Sequence, residues 1–119
     1  MKTFKDLNVW EKAHKLTLKI YHTTATFPRE EMYGLTSQMR RACASVPTNI
    51  AEGCGRNSDA ELARFLDISM GSASEVEYLL ILTRDINILA TADYQELSSE
   101  IIEIKRMLAS FIKKLRAES

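Results

Sequence analysis

The chain has 119 residues, of which 45% are hydrophobic and 27% charged, and 16 basic residues cancel 16 acidic ones. That size allows one core but not two, so residues 1–119 are read as a single domain. Its composition excludes a disordered or fibrous chain, and its neutrality excludes a partner chosen by bulk charge, leaving local charge to carry any recognition.

With only four Gly and two Pro in the whole chain, a few long elements with short connections are expected. The start, Met1 to Asp6, is not followed by a signal-peptide core, and no segment approaches the ~20 apolar residues of a membrane span. A cytoplasmic protein without membrane contact is therefore expected.

The first periodic stretch runs from about Leu7 to Thr26. Trp10, Ala13, Thr17, Ile20, Tyr21 and Thr24 recur at helical spacing, while Glu11, Lys12, Lys15 and Lys19 form the solvated side. Phe27-Pro28 ends it, because a residue before proline disfavours the helical region.

A second helix is predicted from about Met32 to Gly53, with Leu35, Met39, Ala42 or Cys43, Val46 and Ile50 facing inward. Pro47 removes the donor that would reach the Cys43 carbonyl, so a kink is expected near residues 43–47. Gly53, Gly55, Asn57 and Ser58 then break the chain, and Ser58-Asp59-Ala60-Glu61 reads as a capping box opening the third helix.

That helix extends to about Leu89 through Leu62, Phe65, Leu66, Ser69, Ala73, Val76, Leu79 or Leu80, Thr83 and Ile86. Gly71, Ser72, Ala73 and Ser74 at its middle either admit a neighbouring helix closely or are a weak point without a role. Thr91-Ala92-Asp93, with a capping-box match at Asp93-Tyr94-Gln95-Glu96, opens the fourth helix. Its inner side is Tyr94, Leu97, Ile101, Ile104, Leu108, Phe111, Ile112 and Leu115. Four long helices with short loops predict an all-α, up-down-up-down antiparallel four-helix bundle.

No phosphate loop, zincin motif, di-iron E-x-x-H pair or nucleophile elbow is present. His14 and His22 lie eight residues apart, about 80° around a helix, and are read as exposed. Cys43 and Cys54 on one straight helix would lie about 16 Å apart, beyond disulfide reach, and are read as buried thiols. No catalytic residue, metal or cofactor is expected. Glu75 and Glu77 flank the core position Val76 but diverge by about 160°, so pairing with Arg40 or Arg41 suits them better than acid-base work.

Charge is unevenly distributed. Lys2, Lys5, Lys12, Lys15 and Lys19 dominate the start, and Lys105, Arg106, Lys113, Lys114 and Arg116 close the last helix without an intervening acid. The third helix is acidic, and the fourth is acidic early and basic late. The helix dipole accounts for part of this, and an ordinary solvated surface is one reading of the rest. Alternatively, the basic faces bind phosphate backbones or meet the acidic helix of another copy.

Four ordered stretches carry a family resemblance: Phe4 to Ala13 (FKDLNVWEKA), Tyr33 to Ala42 (YGLTSQMRRA), Ser45 to Gly53 (SVPTNIAEG), and Phe65-Leu66 with Gly71-Ser72. Together they resemble the four-helix-bundle proteins encoded in 23S rRNA intervening sequences, often labelled ribosomal S23 proteins. The retroelement accessory variability determinant is a related bundle with a basic surface.

The resemblance implies a bacterial, non-enzymatic bundle assembling as a homopentameric ring and binding RNA or a ribonucleoprotein. A protein-protein scaffold is the alternative. The candidate RNA contacts are Lys12, Lys15, Lys19, Arg40, Arg41, Lys105, Arg106, Lys113 and Lys114. Trp10, Asn49, Glu52, Glu75 and Glu77 are assigned to packing or subunit contacts. The chain departs from the strongly basic retroelement relatives in its zero net charge.

Overall fold

The computed structural model describes residues 3–118, so Lys2 of the N-terminal lysines lies outside the described residues. Four helices run antiparallel in chain order: α1 Asn8–Thr24, α2 Ser37–Cys54, α3 Asp59–Asp85 and α4 Thr91–Glu118. Each packs against its sequence neighbour, and α1 closes the square against α4. The bundle measures 46 × 22 × 20 Å.

The helix ends follow from local chemistry. A short 3-10 turn, Phe4–Asp6, precedes α1. After Thr24 the chain tightens into i→i−3 bonds, ending with the Phe27 amide on the Thr24 carbonyl at 3.0 Å, just before Pro28. Ser58 caps α3 by accepting from the Glu61 amide at 3.1 Å, as the capping box predicts.

The third helix stops at Asp85, short of the expected Leu89, because Asn87 adopts a left-handed φ of 64°. The Asn87 amide bonds to the Arg84 carbonyl and the Ile88 amide to the Thr83 carbonyl. These two bonds form a Schellman cap with asparagine in the position glycine usually takes. Helix α4 begins at Thr91, with the Tyr94 amide on the Ala90 carbonyl at 2.9 Å. Asp93 therefore lies in the first turn rather than at a cap.

In the second segment, α2 continues unbroken through Pro47. The departure from helical backbone comes earlier, at Gly34 (φ −110°, ψ −111°), inside a widened turn over Met32–Thr36. The side chain of Glu31 stabilises that turn by accepting from the Leu35 amide at 3.3 Å. At Pro47 the freed Cys43 carbonyl has the buried Thr17 hydroxyl 3.4 Å away. That hydroxyl also donates to the Ala13 carbonyl at 2.8 Å, so α1 supplies a polar contact where the proline leaves a gap.

The core joins Leu16 and Ile20 of α1, Met39, Val46 and Ile50 of α2, Leu62, Leu66, Leu79 and Leu80 of α3, and Ile101, Ile104 and Leu108 of α4. Two expected inward residues face solvent instead, Tyr21 and Ile86. The former lies beside Arg40, whose guanidinium covers its ring at 4.8 Å.

Small residues make the α2–α3 contact close. The Ser69 hydroxyl donates to the Val46 carbonyl at 2.9 Å, and the Ser45 and Ser72 hydroxyls are 2.8 Å apart. Gly53 is buried, and a Cβ there would meet Leu62 Cδ1 at 2.8 Å and Phe65 Cβ at 2.9 Å. Of the expected small-residue patch, Ala73 is buried and Ser72 half-buried, whereas Gly71 is exposed.

Candidate functional site: a charge-sorted bundle surface

Most candidate cations are engaged within the chain. Lys12 meets Glu103 at 3.3 Å, Lys15 meets Glu11 at 3.0 Å, and Lys19 lies between Glu96 at 3.0 Å and Glu100 at 2.9 Å. Its hydrogen bonds to Glu100 and then Glu96 raise the Lys19 ammonium above its ordinary pKa. Lys105 reaches Glu77 at 2.7 Å, and Arg116 pairs with Asp67.

This pairing explains the uneven charge along α4. Its acidic first half lies beside the lysines of α1, and its basic second half beside acids of α3. Because α4 runs antiparallel to both neighbours, one helix serves two partners of opposite sign. Exposed pairs of this kind contribute little to stability and serve mainly to select register.

The arginines of α2 divide. Arg40 turns to α1, donating from Nε to the Thr24 hydroxyl at 2.8 Å and from its terminal nitrogen to the Tyr21 carbonyl at 3.3 Å. The expected pairing of Arg40 or Arg41 with Glu75 and Glu77 is therefore corrected. Glu77 takes Lys105, and Glu75 accepts from Gln38 at 3.3 Å. Arg41 is exposed, in a shallow depression with Gln38, Ala42, Ser45, Ser72 and Glu75.

Arg106, Lys113 and Lys114 are also exposed, and like Arg41 they have no ion-pair partner among the described residues. The α4 cations occupy the last turns of the helix, with Arg106 and Lys113 on one side about 10 Å apart along the axis.

The remaining motif residues are structural or solvent-facing. Trp10 packs edge-on against Phe4 at 4.9 Å and stacks on His14 at 5.1 Å. Asn49 donates to both the carbonyl and hydroxyl of Ser45 at 2.9 Å. Glu52 is exposed, as are both histidines. Cys43 is buried, which pushes its thiol pKa up to about 11, and Cys54 is half-buried with its thiol also raised by burial.

Among the described residues no three His, Cys, Asp or Glu side chains are grouped to hold a metal. No described helix is long and apolar enough to cross a membrane. The groove between α1 and α4, about 270 Å³, is lined by Lys12, Lys15, Glu11, Glu100 and Glu103. Lys12 and Glu103 pair across the groove, and Lys15 and Glu11 pair along α1.

Fold and surface thus define a helical-bundle protein whose distinctive chemistry is the sorting of surface charge. The chain belongs to the 23S rRNA-intervening sequence protein family, whose model matches residues 5–110. It is also similar to the crystal structure of a protein with unknown function from the S23 ribosomal protein family of Bacteroides thetaiotaomicron VPI-5482. The TM-score is 0.80 at 25% identity, covering 88% of this chain and 98% of that one. No curated protein matches the chain. The sequence resemblance and its fold are therefore confirmed.

Proposed function

We propose that this is a non-enzymatic, self-assembling cytoplasmic bundle that binds RNA or a ribonucleoprotein through Arg106, Lys113 and Lys114, with Arg41 as a separate contact. The observation that carries this reading is the division of the cations. Lys12, Lys15, Lys19 and Lys105 are held by carboxylates, whereas Arg106, Lys113 and Lys114 have no ion-pair partner among the described residues.

A phosphate binding a paired lysine must first displace a carboxylate, but one meeting Lys113 or Lys114 displaces only water and counterions. Zero net charge does not oppose this, because the field at contact range is local and screened beyond about 10 Å. The test is a salt titration of binding to a structured RNA. Affinity should fall as salt rises, with a log-log slope set by the few phosphates neutralised. No binding at low salt, or binding indifferent to salt, refutes the reading.

A scaffold for a partner polypeptide is the second reading. It is favoured by Tyr33, 97% exposed on the connection between α1 and α2. Aromatic side chains presented in this way are common anchors in protein interfaces. Under that reading, charge reversal at Lys113 and Lys114 leaves partner binding intact.

A further inference from the structure

The outward face of α4 carries a strip on which no acid falls. Gln95, Ser99, Ser110, Lys113 and Ala117 lie within about 40° of Arg106 around the helix axis, and all six residues are exposed. The acids of the same helix are turned toward α1, where Glu96 and Glu100 hold Lys19 and Glu103 holds Lys12. Ser99, Arg106 and Lys113 recur every seven residues, about 10 Å apart along the axis. The hydroxyls of Thr17, Thr24 and Thr83 turn back to carbonyls one turn earlier, as helical hydroxyls often do. Those of Ser99 and Ser110 have no hydrogen-bond partner among the described residues and are open to a ligand.

What the strip lacks decides the kind of RNA it fits. Unpaired bases are held by stacking on exposed aromatic side chains. The two aromatics of α4, Tyr94 and Phe111, are packed against the core, and the exposed tyrosines, Tyr21, Tyr33 and Tyr78, lie outside α4. Duplex RNA requires no stacking platform. Its wide, shallow minor groove displays 2′-hydroxyls between two lines of phosphates and is read by shape.

We propose that this strip docks double-stranded RNA along the minor groove, with Arg106 and Lys113 on phosphates and the Ser99 and Ser110 hydroxyls on 2′-hydroxyls. The inference rests on the RNA-binding reading above and narrows it to one structural class. The short side chains of Ser99, Ser110 and Ala117 let the helix approach a shallow surface, and the cations reach past them to the groove edges. Serine hydroxyls suit sugar and phosphate contacts, which fix position without reading bases. B-form DNA offers a narrow minor groove and no 2′-hydroxyl, so the same strip discriminates against it.

Fluorescence anisotropy at one low salt concentration tests this, with an RNA duplex, the DNA duplex of the same sequence, and one RNA strand alone that has no self-complementarity. The RNA duplex should bind about tenfold tighter than either of the others, the worth of a few added hydrogen bonds. Ser99→Ala/Ser110→Ala should reduce the preference for RNA over DNA about fivefold. It should leave the log-log salt slope unchanged, because a hydroxyl releases no counterion. Alanine favours the helix, so helix content by circular dichroism should be retained.

Single-stranded RNA or duplex DNA binding as tightly as duplex RNA, or an unaltered preference in the serine variant, overturns the minor-groove docking while leaving RNA binding through the cations standing. Binding of none of the three at low salt overturns both.

Discussion

Two glycines, Gly53 and Gly71, should respond to the same substitution with opposite sign. At Gly53 an added Cβ would fall 2.9 Å from Phe65 Cβ and 2.8 Å from Leu62 Cδ1, whereas ordinary carbon contacts lie at about 3.5–4.0 Å. The leucine tip can rotate, but Phe65 Cβ is fixed to the α3 backbone. Helices α2 and α3 must therefore separate by roughly 0.6–1 Å to restore normal contact. That separation opens packing around the fully buried Leu62 and Leu66.

Overpacking of this kind costs about 1–3 kcal/mol, against a helix-propensity gain of up to about 1 kcal/mol for replacing glycine with alanine. The expected net loss for Gly53→Ala is about 0–2 kcal/mol, from the difference of those two terms. At Gly71 the space is open, so Gly71→Ala keeps the propensity gain of about 1 kcal/mol. Urea unfolding followed by circular dichroism, at one low protein concentration, reads both as shifts in midpoint at constant slope. If Gly53→Ala is as stabilising as Gly71→Ala, the close approach of α2 to α3 is wrong.

Thr17→Val removes the hydroxyl on the Ala13 carbonyl near Cys43 and should cost about 1 kcal/mol in the same assay. Leu66→Ala, at 0% exposure, should cost about 2–5 kcal/mol. A thiol reagent at pH 8 should modify the half-buried Cys54 first and Cys43 only on unfolding. Burial holds the Cys43 thiol pKa at about 11, above its ordinary value of 9.0. The native state thus retains a proton that the unfolded chain loses first, so this contribution to stability is intact below about pH 9 and is lost through pH 11. A stability that rises over that window would contradict the burial of Cys43.

Much of this architecture was legible in the sequence, because helical periodicity and capping express short-range geometry. Apart from Ile86, the inward faces of α3 and α4 appear as read, and Ser58 caps where the capping box placed it. The α3 terminus was misplaced because the signal is a single asparagine, Asn87, whose left-handed conformation periodicity does not reveal. Pro47 suggested a kink, and α2 runs through it as one helix, with a hydroxyl from α1 beside the carbonyl the proline frees. That compensation is a tertiary contact and has no local signature.

For the candidate site, the sequence located the charges but not their pairing. Lys19 and Lys114 are alike as letters in a row. They differ because Lys19 sits opposite Glu96 and Glu100, residues far away in the chain. The antiparallel alignment of α1 with α4 decides this, and it separates the paired lysines from the unpaired ones.

The most direct test compares two charge-reversal variants in the salt titration of RNA binding, Lys113→Glu/Lys114→Glu and Lys12→Glu/Lys15→Glu. The account predicts that the α4 variant loses affinity and lowers the magnitude of the log-log salt slope by about 1–2, while the α1 variant, whose lysines are already paired, changes the slope by much less. Equal losses in both variants, or a loss confined to α1, would contradict it.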